Sequence, residues 1–350
     1  MEARLQRRQR AWLSLTAAAI TLVIVSIASA ASLSSQTRPQ TPVGELGSDS
    51  RYALLVGISD YPGEDEDLGG GPLNDVSLMT DLLVKRLGIP ERNILTLTDD
   101  QATWANIVAA FRTHLGRTGK DGVAIFYFSG HGAQLPNSGN DAEEDGLDEV
   151  LVVRGSSPDR VSALRDDHLG LLGGSLDTER VLVLLDNCYS GTGTRGGRGG
   201  LRWRDIAGNA ALPATLRRSE SVAPGARGKR LSREAVVQMG LEPSETPVRG
   251  TRLEDPRTHV LLAASAENEL SLNVPLKLDD GSRISVGLFT ATLYGELARA
   301  NLATVSFTDL ALSLQANARR VTLQMREGPQ TPQAEGIRRD ALVGAYLGGK

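Results

Sequence analysis

The chain has 350 residues, 40% of them hydrophobic, enough for one large domain or two smaller ones with a true core. Its 38 Lys and Arg are interspersed with 42 Asp and Glu for a net charge of −4, and no basic stripe dominates a folded segment, which argues against a nucleic-acid binder. Aromatic residues make up only 4%, so aliphatic side chains must fill the core.

Arg4, Arg7, Arg8 and Arg10 precede an almost uncharged apolar stretch, Trp12 to Ile27, and the small residues Ala28-Ser29-Ala30 then offer a signal-peptidase site. In length the stretch falls between a signal h-region and a spanning helix. Ser32 to Ser50, rich in Ser, Thr, Pro and Gln, has the composition of a tether. Residues 1–50 are therefore expected to be a signal peptide or membrane anchor plus a flexible tether. The chain would be exported across the cytoplasmic membrane, periplasmic or secreted, with residues 11–30 tethering it if they are retained.

From Arg51 onward strand-like and helix-like patterns alternate. Tyr52 to Ile58 is a short apolar run bounded by turn residues, as a buried parallel strand should be. A helix is expected from Asp75 to Leu87, with Asn74 as N-cap and Gly88 as the stop. Asn93 to Thr98 reads as a second strand, and Trp104, Ile107, Val108, Phe111 and Leu115 share one helical face behind a Thr103 cap. Gly122 to Phe128 is a third strand, Val150 to Val153 a fourth, and Arg180 to Leu185 a further buried one. This order predicts a mostly parallel sheet with helices on both faces. Residues 192–257, rich in Gly, Arg, Ser and Pro and almost without periodicity, are expected to be a mobile linker or insertion. Order returns at His259 to Ala264 and continues in helical patterns near 287–299 and 308–320.

Two polar motifs follow apolar runs directly: Ser129-Gly130-His131-Gly132 after the third strand, and Asp186-Asn187-Cys188-Tyr189-Ser190-Gly191 after the later one. In an open parallel sheet, ligands bind at the carboxyl ends of strands. If those strands are neighbours, His131 and Cys188 face one crevice. Cys188 is the chain's one cysteine, so an internal disulfide is excluded. A buried hydrophobe is the ordinary reading of a lone Cys, but its place here suits a nucleophile. An imidazole can take the thiol's proton or protonate a leaving amine, and the N–H groups of Gly132 and Cys188 are candidate oxyanion donors. The histidine precedes the cysteine by 57 residues, near the caspase spacing.

Together SGHG and DNCYSG, with YALLVGISDY, GPLND, DGLDE and the VLLAAS and GLFTATL blocks, resemble the metacaspase branch of the caspase-like cysteine peptidases. The resemblance covers a large-subunit region, residues 51–195, and the small-subunit blocks between 258 and 335. Residues 196–257 form the linker between them, and the small-subunit-like part runs on to 350. It implies an α/β, caspase-like three-layer sandwich with a mostly parallel six-stranded sheet. It also implies a cysteine endopeptidase with His131 and Cys188 as a dyad and a thioester intermediate. The S1 pocket would be acidic, with Asp75 and Asp186 as carboxylates and Ser129 in its lining, and would take Arg or Lys from a polypeptide substrate. On the residues alone the alternative reading of Asp75 is a helix cap.

The resemblance requires no organic cofactor and allows calcium, for which Asp166, Asp167 and Asp145 (or Asp148) are the matching acids. Tyr189 stands where the family has His, and Arg195 where it has an acid. A monomer is expected. The linker carries Arg195, Arg198, Arg202, Arg204, Arg217, Arg218, Lys229 and Arg230, any of which such an enzyme could cut in itself or leave alone. The competing reading is a catalytically weak caspase-fold regulatory or interaction protein.

Overall fold

The computed structural model describes residues 50–63, 66–136, 146–188, 201–218, 226–242 and 259–348. The segment expected to be a signal peptide or membrane anchor, Asp145, Tyr189, Arg195 and Arg198 lie outside the described residues. Among those described, no helix is long and apolar enough to cross a membrane.

A six-stranded sheet organises the fold. Its strands are β1 (Arg51–Gly57), β2 (Ile94–Thr98), β3 (Val123–Ser129), β7 (Val181–Asp186), β9 (His259–Ala263) and β12 (Gln333–Glu335), in the order β12-β9-β7-β3-β1-β2. All neighbours pair in parallel except β12, which closes one edge antiparallel to β9. The central strands are apolar throughout because both their faces are covered. Ala53, Leu55, Ile125, Tyr127, Leu182 and Leu184 belong to a core on one face. There they meet α1 (Gly71–Asp81), α6 (Leu288–Arg299) and α7 (Phe307–Met325). Leu54, Val56, Phe126, Phe128 and Leu185 belong to a second core with α2 (Trp104–Thr113) and α3 (Asp166–Gly174). The result is the three-layer α/β sandwich expected, with each fully buried Leu or Phe contributing about 2–3 kcal/mol.

Two small antiparallel sheets stand beside the main one. One joins β4 (Gly132–Pro136), β5 (Leu147–Arg154) and β6 (Val161–Arg165); the other joins β8 (Arg227–Gly228), β10 (Leu272–Lys277) and β11 (Arg283–Gly287). The run Val150 to Val153 therefore sits in β5, outside the parallel sheet. Its apolar residues announced a strand but not the hairpin partner that claims it.

The first helix also departs from expectation. It begins at Gly71 and Pro72, so Asp75 is in its second turn and caps nothing. Gly70 at φ 77° turns the chain into the helix without a side-chain cap, which removes the usual sequence signal. Gly57 lets the helix come this close: a Cβ there would stand 2.7 Å from the Pro72 carbonyl oxygen.

The expected linker carries folded structure as well. Within 192–257 lie α4 (Trp203–Ala207), β8 and α5 (Arg233–Gln238). Trp203, Ile206, Leu216 and Ala226 are buried in the first core, and Leu231, Val236 and Met239 in the second. Elements of two to six residues are too short to show a period, so Gly and Arg content dominated the sequence pattern.

Candidate active site

Ser129 and Asp186 are register partners at the carboxyl ends of β3 and β7, and Gly57 lies beside Ser129 at the end of β1. The chain turns there into the two polar motifs, so both arrive at one edge of the sheet. Strand order reverses between β1 and β3, which opens the crevice at this edge.

Tyr61 holds the histidine loop. Its hydroxyl accepts the His131 N–H at 2.9 Å and donates to the Val152 carbonyl at 2.9 Å. Its ring lies edge-on to the imidazole at 4.7 Å between centroids. Nε2 of His131 is 2.8 Å from the Glu66 carbonyl oxygen. A carbonyl can only accept, so Nε2 carries the proton and Nδ1 keeps a free lone pair. Nδ1 is buried with no hydrogen-bond partner among the described residues. Burial lowers this imidazole to about 4, against the Glu66 and Lys229 carbonyls, which favour its protonated form.

Cys188 is fully buried at the end of β7. Its thiol donates to the Ser271 carbonyl at 3.3 Å and receives the Ser271 N–H. Burial pushes it up to about 12; the Ser271 and Lys229 backbone contacts pull the other way. In this state the pair is a thiol and a neutral imidazole.

What covers the site is a segment of the expected linker. Gly228 and Arg227 pair antiparallel with Leu272 and Asn273 of β10. The next residue, Lys229, donates its N–H to the Ser271 carbonyl at 2.9 Å. The Lys229 carbonyl oxygen accepts the N–H of Gly132 at 3.0 Å and that of Cys188 at 3.2 Å. Beyond it, Leu231 donates to the Gly132 carbonyl at 2.9 Å. Chain thus runs through the crevice with a bend at Lys229, held by backbone pairing on both sides of it.

The Lys229 side chain enters a pocket formed by Asp75, Ser129 and Asp186, all fully buried. Its ammonium lies 2.9 Å from Asp75 Oδ2, from Asp186 Oδ1 and from Ser129 Oγ. Asp75 also accepts from Ser129 Oγ at 2.7 Å and from the Gly287 N–H at 2.7 Å. Asp186 accepts from Ser271 Oγ at 2.7 Å and from both the N–H (3.2 Å) and Oγ1 (2.6 Å) of Thr290. Since Thr290 Oγ1 donates to the carboxylate, Tyr127 must donate in its 2.6 Å contact with Thr290. Burial pushes Asp75 up to about 6, offset by the Lys229 ammonium. For Lys229 burial alone would lower its value, but Asp186 and Asp75 outweigh it and raise it. Buried charges survive only when paired and hydrogen-bonded, and all three here are.

Thus His131, Cys188, Gly132, Asp75, Ser129 and Asp186, nominated from sequence, meet at one end of one sheet. Of the acids matched to calcium, Asp166 and Asp167 open α3 and Asp148 lies in β5, while Asp145 is outside the described residues. Burial pushes Asp166 up to about 7, against a backbone hydrogen bond from Asp167 that lowers it, while the charges of Asp167, Glu149 and Asp148 raise it further. Arg165, however, ion-pairs with Asp148. Among the described residues no group of three His, Cys, Asp or Glu could hold a metal ion. Sequence reasoning missed Lys229 as occupant, Ser271, Thr290 and Gly287. Lys229 carried a signal as one of the linker's basic residues, and Gly287 and Thr290 lie within the GLFTATL block, but nothing in the sequence marked Ser271.

A fold and crevice of this kind define a caspase-like class of α/β proteins, and comparison with known proteins agrees. The caspase-domain family model matches residues 50–342. Metacaspase III c of Phaeodactylum tricornutum is 33% identical over 149 residues, 41% of this chain and 43% of that protein. Metacaspase-7 of Arabidopsis thaliana is 33% identical over 148 residues, 41% of this chain and 35% of that protein. The matches span less than half the length of these curated relatives. A crystal structure of a Geobacter sulfurreducens protein aligns with TM-score 0.46 at 20% identity, covering 81% of this chain and 92% of that one. The chain belongs to the caspase-domain family, as a metacaspase-like member of its cysteine peptidases.

Proposed function

We propose that this chain is a cysteine endopeptidase that cleaves polypeptides after Lys or Arg, with Cys188 as nucleophile and His131 as its acid-base partner. The observation that carries this reading is Lys229. Its side chain fills the acidic pocket while its carbonyl oxygen takes two converging backbone N–H groups beside Sγ. That is the posture a substrate needs for attack.

In the reaction, Nδ1 of His131 takes the thiol proton and Sγ adds to the carbonyl carbon of the basic residue. The N–H groups of Gly132 and Cys188 hold the oxyanion. His131 returns the proton to the leaving amine, a thioester forms, and water hydrolyses it. Asp75 and Asp186 select a cation because an uncharged side chain would leave two buried carboxylates without a counter-charge. In the state described here the enzyme's own Lys229–Arg230 bond occupies the position of the scissile peptide.

Full-length chain is incubated with fluorogenic peptides ending in Arg, Lys or Asp, with and without calcium, beside a Cys188→Ala control. Hydrolysis after Arg or Lys that the control lacks is expected. Hydrolysis after Asp overturns the pocket assignment. A chain in which Lys229→Met leaves every peptide uncut, with or without calcium, favours the weak regulatory protein instead. Mass spectrometry of the same samples shows whether Lys229–Arg230 is also cut.

A further inference from the structure

Ser271 directly precedes β10 and is fully buried, and each of its polar groups has a separate task. Its N–H points at Cys188 Sγ. Its carbonyl accepts both the thiol at 3.3 Å and the Lys229 N–H at 2.9 Å. Its hydroxyl donates at 2.7 Å to Asp186 Oδ1, the same oxygen that lies 2.9 Å from the Lys229 ammonium. One residue therefore touches the nucleophile, the substrate-like backbone and the carboxylate that receives the basic side chain.

We propose that Ser271 is a positioning residue coupling the pocket to the nucleophile, so that a cation entering between Asp75 and Asp186 also readies Cys188 for attack. This rests on the endopeptidase reading above. An empty pocket holds two carboxylates, one of them two residues from the sulfur, in a site removed from water. A thiolate would be a third negative charge in that space. A basic side chain neutralises the pair. Its backbone N–H meanwhile engages the Ser271 carbonyl, the group that would otherwise oppose a negative sulfur. The Ser271 N–H is left facing Sγ, and the hydroxyl bond to Asp186 keeps it aimed there.

The charged and titratable groups around the sulfur agree with this. Asp186 on β7 opposes the thiolate and Lys229 favours it. Arg230 from the covering segment senses its charge, Asp75 on α1 acts through the Lys229 ammonium, and His131 after β3 is neutral. A cationic residue ahead of the scissile bond would thus raise the rate of attack as well as affinity.

Cys188 is the chain's one cysteine, so far-ultraviolet thiolate absorbance, corrected with a Cys188→Ala blank, reports it alone. The titration is run on full-length Lys229→Met, whose pocket lacks its own cation, with and without agmatine as a pocket cation. Agmatine is expected to shift the thiol's midpoint down by about one pH unit. Adding Ser271→Ala should abolish most of that shift while calorimetry still detects agmatine, and adding Ser271→Thr should restore it. With Lys peptides, Ser271→Ala should lower kcat roughly tenfold with KM within about threefold. A midpoint unmoved by saturating agmatine, or a full shift in a folded Ser271→Ala variant, overturns the coupling even if peptides are cut. If no variant cuts any Arg or Lys peptide, the endopeptidase reading fails and the coupling with it.

Discussion

The backbone N–H groups of Gly132 and Cys188 converge on one oxygen, the carbonyl of Lys229, at 3.0 and 3.2 Å. Gly132 has to be glycine for this. A Cβ there would fall 2.0 Å from the Cys188 carbonyl oxygen and 2.5 Å from Asn187 Nδ2. The two loops are thus pressed together until their donors address a single point, and a segment of the chain itself occupies that point.

Replacing the occupant separates stability from access. Lys229→Met removes the cation from between two buried carboxylates, and breaking a buried charge network in this way costs about 3–5 kcal/mol. The melting temperature should fall while hydrolysis of added Lys peptides rises, because the crevice no longer holds a competing basic residue. Calorimetry and peptide kinetics on the same preparation check both halves. Unchanged values of the two together would mean that Lys229 neither fills nor guards the pocket.

Gly287 tests the pocket from the opposite wall. A Cβ at this position would stand 2.0 Å from Asp186 Oδ2, 2.5 Å from Lys229 Nζ and 2.8 Å from Asp75 Oδ2. Its backbone, at φ −64° and ψ 132°, is open to any residue, so Gly287→Ala adds a methyl group without backbone strain. We expect kcat/KM for Arg and Lys peptides to drop roughly a hundredfold or more, about 2.7 kcal/mol. Far-ultraviolet circular dichroism should stay native. A variant as active as the wild type would show that the substrate cation lies elsewhere.

Much of this was legible in the chain because it is local. The apolar runs of β3 and β7 end abruptly in Ser129-Gly130-His131-Gly132 and Asp186-Asn187-Cys188, and parallel strands present their carboxyl ends to one crevice. What stayed hidden depends on partners far apart in sequence. Lys229 bonds Asp75 across 154 positions, and nothing near it separates it from Arg217, Arg218 or Arg230. Ser271 lies outside both motifs, and its meaning comes only from bonding Cys188 and Asp186 at once. Val150 to Val153 signalled a strand, but the choice between the central sheet and a hairpin with β4 was made by pairing.

Protonation of His131 should be visible as a stability effect. Burial holds its folded value near 4, below the ordinary 6.5. Between those values the unfolded chain binds the proton and the folded chain does not, so this contribution is complete above pH 6.5 and is lost as pH falls toward 4. Asp75 acts in the opposite sense, because its folded value is raised from 3.8 to about 6 and its contribution is lost as pH rises through that interval. Comparing wild type with His131→Asn isolates the imidazole. The gap in unfolding free energy should grow in favour of the wild type by up to about 3 kcal/mol as pH climbs from 4 to 6.5. A gap that stays flat across this range would refute the buried, neutral imidazole.

The covering segment is tied down beyond the site, and that tie can be loosened without touching the chemistry. Ser232 caps α5 through the Ala235 N–H, and Val236 and Met239 are buried. The far end is held by Glu242, whose N–H donates to the Val161 carbonyl at 2.9 Å. Its carboxylate accepts from the Ser156 N–H at 2.8 Å and from the Ser156 hydroxyl. Glu242→Ala removes the carboxylate bonds, each worth about 1.5 kcal/mol or less in such an exposed place. Lowering the cost of release by about 1 kcal/mol makes the uncovered state roughly fivefold more populated. Basal hydrolysis of added Lys peptides should therefore rise two- to fivefold, with little change in melting temperature. A rise seen equally in Lys229→Met, where no basic residue remains to be displaced, would place the effect outside the crevice and refute control by the segment.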